Sequence, residues 1–418
     1  MSILIKDVRH QNRTVDIYIE DNVISEIGKV RVEADEVIDG RKFVALPGLV
    51  NAHTHAAMSL LRGYADDLPL QVWLNEKIWP VERNLRAEYV YWGTKLACLE
   101  MIKTGTTTFH DLYYFVVDAG KAVKEMGIRG VLAQGFLDFF DDERMEQQIE
   151  TTREAVRGIR ALRCDRVMPA LGPHAVYTVS KEAFQWCKDY AEEENLLIHT
   201  HLSETEGEVK DAMKQFQSSP VKYLHKIGVL CDRVVAAHCV WLSDEDIRLI
   251  ADRGATAVHC PISNMKLGVG RVMPYNRLVA EGVNVALGTD SASSNNNLDM
   301  LEEMKVAALL QKMAGDTTAL PAAEVMEMAT KNGAEALRIN AGVLEEGKLA
   351  DVILIDLKHL FFIPGYNIIS DVVYSANGLC VDTTICDGRI LMRDRVVEGE
   401  EEIIEKAKRI AMDYVSGR

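Results

Sequence analysis

Between residue 44 and about residue 315, short apolar runs alternate with longer amphipathic stretches, and no other feature constrains the fold as much. The runs are FVALPGLVNAH, TGTTTFHD (104–111), RGVLAQGF (129–136), RVMPALGPH (166–174), LLIHTHL (196–202), RVVAAHC (233–239), ATAVHCP (255–261) and VNVALGTD (283–290). Helical patterns such as YVYWGTKLACLEMIKTG and SKEAFQWCKDYAEEEN separate them. Parallel strands joined by helices are covered on both faces, so they should be apolar nearly throughout, and these mostly are. Eight strand–helix units predict an α/β fold, a TIM-like (β/α)8 barrel.

The two chain ends read differently. ILIKDV, VDIYIE and NVISEIG near the start are short strands parted by Asp21–Asn22 and Gly28. DVILIDL (351–357) and TTICDGRILMRD (383–394) return to that style. We expect a small β-sandwich domain built from residues 1–47 and 346–418, flanking a catalytic barrel of residues 48–345.

Composition excludes several functions. A net charge of −16 repels phosphate backbones, so nucleic acid is not an expected partner. No apolar run reaches membrane-spanning length, and MSILIKDVRH lacks the basic start and apolar stretch of a signal peptide. The expected location is the cytoplasm. None of the eight cysteines forms a C-x-x-C pair, so they read as reduced thiols filling the core rather than as a zinc site.

Chemistry in such barrels sits at the C-terminal ends of the strands. There the sequence places His53 and His55, then His174, then His199, His201 and Glu204, then His238, His259 and Asp290. Residues two apart on a strand face the same side, so His53 and His55 can both face the mouth. His10, His225 and His359 lie in surface-like segments. His110, His199 and His259 read as structural groups or partners of ligands. His53, His55, His201, His238 and Asp290 together form a donor set for one divalent metal, with zinc expected and iron the alternative.

The pieces PGLVNAHTHAAMSLLRG, HTHLSE, AHCVWL, HCPISNMKLG and GTDSASSNNNLDM resemble the amidohydrolase superfamily. Within it the chain looks like the 5'-methylthioadenosine/S-adenosylhomocysteine deaminase family, including its archaeal 5'-deoxyadenosine deaminase members. The likeness runs nearly the whole chain, to GVLEEGKLADVILIDL. The resemblance implies that His53, His55, His201 and Asp290 ligate the metal. It implies that His238 and Asp290 handle the attacking water and that Glu204 is the catalytic acid, with Glu204 and Asp290 also meeting the substrate. Glu82 and His174 match substrate residues, and Trp73 lines the same pocket. Superfamily members with two metals bridge them by a modified lysine near strand 4; RVMPALGPHA has none, so one metal is implied.

The implied reaction is hydrolytic deamination of 5'-deoxyadenosine, 5'-methylthioadenosine and S-adenosylhomocysteine, with adenosine a further candidate. A metal lowers the pKa of bound water enough to give hydroxide at neutral pH. Asp290 can accept the water proton while His238 orients the water. Attack at C6 pushes charge onto N1, where a protonated Glu204 can relieve it. Glu82 offers two acceptor oxygens, a match to the two ribose hydroxyls, and His174 could donate to purine N3. An S-adenosylhomocysteine carboxylate would want an arginine, for which Arg144 is a candidate. Two other readings stay open: an aminohydrolase of the same fold acting on a free base or triazine, as guanine and cytosine deaminases do, and a metal-binding barrel without catalysis. A homo-oligomer, dimer or tetramer, is expected for an enzyme of this size.

Overall fold

The computed structural model describes residues 1–417. Among these described residues, sixteen strands make two sheets of eight. The first five are β1 (Ser2–His10), β2 (Arg13–Glu20), β3 (Val23–Gly28), β4 (Glu36–Asp39) and β5 (Phe43–Pro47). The next eight are β6 (Leu49–Thr54), β7 (Thr106–Tyr113), β8 (Arg129–Phe136), β9 (Val167–Pro173), β10 (Ile198–Leu202), β11 (Val234–His238), β12 (Thr256–His259) and β13 (Val285–Leu287). The last three are β14 (Val352–Asp356), β15 (Val381–Cys386) and β16 (Arg389–Met392).

Strands β6 to β13 neighbour one another in chain order, every pair parallel. This is the eight-stranded barrel the alternation predicts. Its interior is filled by small side chains, among them Val50, Ala52, Val131, Ala133, Ala170, Val235, Val258 and Ala286. The larger cluster lies outside the ring, between strands and helices. The seam between β13 and β6 is not a full ladder. One bridge, Thr54 to Asp290, joins it, and the Asp290 N–H donates to His53 O at 2.9 Å. Asn51 adds side-chain bonds to Thr289, at 2.7 and 3.0 Å. The two edges run close: a Cβ on Gly288 would lie 2.8 Å from His53 N.

The second sheet is mixed and takes strands from both chain ends, in the order β16-β15-β14-β5-β1-β2-β3, with β4 alongside β1. It has a core of its own around Ile3, Ile5, Ile17, Ile19, Val352 and Leu354. The run FVALPGLVNAH, read from the sequence as one strand, divides between the sheets at Gly48. Phe43–Pro47 pairs with β14, and Leu49–Thr54 opens the barrel. The reason is steric: the chain passes so near Thr107 that a Cβ at Gly48 would lie 2.2 Å from its Oγ1. The C-terminal stretch is not all strand. It adds the helices Ile368–Tyr374 and Glu400–Ser416, and the latter packs on the barrel helix Ala87–Lys103.

A buried charge cluster ties the sheets together. Arg129, opening β8, donates to Asp351, and its Nη2 lies 3.1 Å from Asp387 Oδ1. Arg166, before β9, reaches the other Asp387 oxygen at 3.2 Å. No helix among the described residues is long and apolar enough to cross a membrane.

Candidate active site

Four imidazoles converge at the C-terminal mouth of the barrel, each anchored through Nδ1. His55 Nδ1 donates to Leu112 O at 2.5 Å, and His201 Nδ1 to His174 O at 2.9 Å. His53 Nδ1 lies 2.8 Å from His199 Nε2, and His238 Nδ1 2.9 Å from Asn264 Oδ1. Anchoring Nδ1 leaves each Nε2 turned inward. The inner atoms are close: His55 Nε2 is 3.3 Å from His201 Nε2. Asp290 Oδ1 lies 3.3 Å from His55 Nε2 and 3.4 Å from His53 Nε2.

These atoms form two overlapping clusters that suit a metal, His53 with His55 and Asp290, and His53 with His201 and His238. Two further observations test the fit. His53 Nε2 is buried and makes no hydrogen bond of acceptable geometry, although Asp290 is near. Burial pushes the Asp290 carboxyl up, yet the His53 and His55 imidazoles beside it outweigh that and hold it well below the usual carboxylate range. Burial lowers both imidazoles; His53 falls to about 4, whereas Asp290 lifts His55 to about 9. The carboxylate thus calls for positive charge among the imidazoles, and a nitrogen-and-oxygen donor set of this kind suits a divalent transition metal.

Asp290 is held from behind. Its Oδ2 accepts Ser263 Oγ–H at 2.6 Å and Ser294 Oγ–H at 3.0 Å. Ser263 and its neighbour Asn264, on the short helix Pro261–Lys266, therefore orient Asp290 and His238 respectively. Three residues at strand ends, Ser203, His238 and Asp290, adopt left-handed backbone at φ of 51°, 73° and 62°. Non-glycine residues hold that conformation at a cost of about 1–3 kcal/mol, and such strain collects at functional sites.

Glu204 faces this cluster, with Oε2 3.9 Å from His238 Nε2. Burial raises its pKa above the ordinary carboxyl value. A pocket opens from here, lined by His55, His174, Tyr177, His201, Glu204, His238 and Asp290 on the metal side and by Trp73, Glu82 and Tyr113 opposite. The expected metal and substrate residues therefore lie at one mouth, whereas Arg144 lines an adjoining cleft. Burial lifts Glu82 to about 7, against a lowering hydrogen bond from Tyr113.

Two details differ from expectation. Glu82 does not present two free oxygens, because Tyr113 OH donates to Oε1 at 2.7 Å. His174 Nδ1 lies 2.9 Å from Thr178 Oγ1, whose hydroxyl also points at Ala175 O. His174 can donate from Nε2 only in the tautomer where Thr178 turns its hydrogen to Nδ1. Burial holds His174 neutral, at about 3. Sequence reasoning missed Tyr113, Tyr177, Ser263 and Asn264. Only the last two carried a signal, in HCPISN, where a serine and an asparagine follow a strand end.

An eight-stranded parallel barrel with imidazoles and an aspartate gathered at its mouth defines a class of metal-dependent hydrolases. A model of the amidohydrolase family matches residues 44–391, and the chain belongs to that family. It is 52% identical over 387 residues to the 5'-deoxyadenosine deaminase of Methanospirillum hungatei, covering 92% of this chain and 86% of that one. It is 51% identical over 379 residues to the 5-methylthioadenosine/S-adenosylhomocysteine deaminase of Thermococcus sibiricus, covering 90% and 89%. Among solved structures, a zinc-bound adenosine deaminase from Xanthomonas campestris superposes with a TM-score of 0.93 at 33% identity, over 99% of this chain and 98% of that one.

Proposed function

We propose that this enzyme deaminates 5'-modified adenosines, namely 5'-deoxyadenosine, 5'-methylthioadenosine and S-adenosylhomocysteine, with adenosine a further candidate. The products are the inosine analogues and ammonia. The observation that carries the reading is the pairing within one pocket of a buried acid, Glu204, with Asp290 and His238, opposite a carboxylate, Glu82, suited to sugar hydroxyls. The names of the two deaminase relatives point the same way.

In this reading His53, His55, His201 and Asp290 hold one ion. Zinc is favoured over iron by the donor types and by the zinc of the adenosine deaminase relative. When bound, such an ion supplies Lewis acidity and a water acidic enough to attack at neutral pH. The chain's own groups do the rest. Asp290, kept ionised and clamped by Ser263 and Ser294, accepts the proton of the attacking water. His238, braced by Asn264, offers its Nε2 lone pair to orient that water. Glu204 gives a proton to N1 as oxygen adds to C6, and the amine leaves as ammonia after a second proton transfer. Beyond the ring, the free Glu82 oxygen accepts a ribose hydroxyl, His174 approaches the purine edge and Trp73 lines the same pocket. Arg144 lines a cleft that adjoins Glu82 and suits an acidic 5'-substituent.

Ammonia release, with loss of adenine absorbance for the adenine-containing compounds, tests the reading with metal-loaded protein and 5'-deoxyadenosine, 5'-methylthioadenosine, S-adenosylhomocysteine, adenosine, AMP, adenine, guanine and cytosine. Turnover confined to the 5'-modified adenosines, with or without adenosine, is expected. Turnover of free bases alone would replace the proposal by the free-base reading.

A further inference from the structure

We infer that His199 is a positioning residue for the metal site: its imidazole accepts the Nδ1 proton of His53 and so fixes the ring and tautomer with which His53 offers Nε2. The inference rests on the metal reading above and deepens it.

His55 and His201 anchor Nδ1 on main-chain carbonyls, those of Leu112 and His174. Any residue at those positions supplies a carbonyl. His53 is different, because its Nδ1 meets a side chain, His199 Nε2, at 2.8 Å. The pair shares one hydrogen. If His53 Nε2 keeps a lone pair for a cation, Nδ1 must carry the hydrogen, and His199 Nε2 must be the acceptor. His199 then bears its own hydrogen on Nδ1, a buried atom with no protein partner. Beneath it His110 stacks with ring centroids 3.7 Å apart, and neither of its ring nitrogens has a protein partner of good geometry. Ligand imidazoles ordinarily give their second N–H to a carboxylate, a carbonyl or water. Here a neutral imidazole accepts it, which orients the ring without adding negative charge.

This arrangement brings no advantage to packing alone. An apolar side chain at position 199 would remove the unpaired His199 Nδ1–H but leave His53 Nδ1 without its acceptor, which exchanges one unpaired buried group for another and leaves the metal-free protein near balance. Packing and positioning therefore predict different outcomes. If His199 serves packing, replacing it lowers the stability of the metal-free protein. If it serves His53, replacement leaves the metal-free protein about as stable and weakens metal binding.

The test uses full-length protein stripped by a chelator. Zinc affinity is read by competition with a chromophoric chelator at one fixed pH, and metal-free Tm by thermal unfolding. His199→Phe is expected to lose ~10–100-fold in zinc affinity, the usual effect of removing such a partner, with metal-free Tm little changed. His199→Gln can place an acceptor oxygen where Nε2 was and is expected to bind zinc much as the parent does. Should phenylalanine prove too large, His199→Leu removes the acceptor with less bulk. Parent-like zinc affinity in the Phe or Leu variant overturns the inference. So does a lower metal-free Tm joined to weak binding that Gln does not restore. A parent chain that binds no zinc would instead take away the metal reading itself, a result visible before any variant is made.

Discussion

Glu204 sits on a turn that a second carboxylate holds in place. Glu208, on the helix Glu206–Phe216, accepts the backbone N–H groups of Ser203 and Glu204 at 2.9 and 2.7 Å, which stabilises the left-handed turn at Ser203. Burial pushes Glu208 to about 7 and raises Glu204 as well. A carboxyl raised in this way keeps its proton to higher pH and loses it as the pH climbs, so the kcat limb assigned to Glu204 must fall with rising pH. Glu204→Gln should retain metal content, lose about 10²–10⁴ in kcat, and lose that alkaline limb. Near-parental kcat from steady-state kinetics across pH would remove Glu204 from the acid role.

The segment between β6 and the helix Ala87–Lys103 carries two of the pocket's walls. It is built from the short turn Ala56–Leu61 and one continuous helical run, Leu70–Glu82, whose middle, Trp73–Ile78, is wound as a π-helix. Such pieces have little cooperativity of their own and depend on anchors. Lys266 supplies one, pairing with Asp66 of the segment and with Asn296 of the loop after β13. With the pair 22% and 36% exposed, the contact is worth about 0.2–1 kcal/mol. Lys266→Met should therefore raise KM about 1.5–5-fold, leave kcat nearly unchanged and speed proteolysis within 62–82; an unchanged digestion pattern would count against this anchor. The elements also show what the sequence could reveal. Apolar runs marked the barrel strands, most of them with a histidine or aspartate at the end, because burial on both faces and chemistry at one end each leave a residue-type signature. The division at Gly48 left only the Pro47–Gly48 pair as a mark, inside an apolar run that continues on both sides, and the close approach of Thr107 accounts for the glycine. The carbonyls of Leu112 and His174 left no mark, because a main-chain acceptor has no side chain to read. Tyr113 looked like any strand aromatic until the fold brought it to Glu82.

Across the whole molecule, the sheets are tied at the bottom of the barrel by Arg129, Arg166, Asp351 and Asp387, far from the mouth where substrate enters. The mouth has the opposite character. The proposed ligands come from both sides of the seam, His53 and His55 from the β6 side and Asp290 from beyond β13. Only one bridge and a few hydrogen bonds close that joint. In chelated protein, amides of β6 and β13 should exchange with deuterium faster than in zinc-loaded protein, and faster than those of β8 and β9. Equal protection of all four strands with and without zinc would show that the joint holds without help. A cation that ligates both edges is the clasp of a bracelet as well as a reagent: the ring of strands has one weak link, and the ion spans it. Starving such an enzyme of metal would then silence it and unfasten it in the same act.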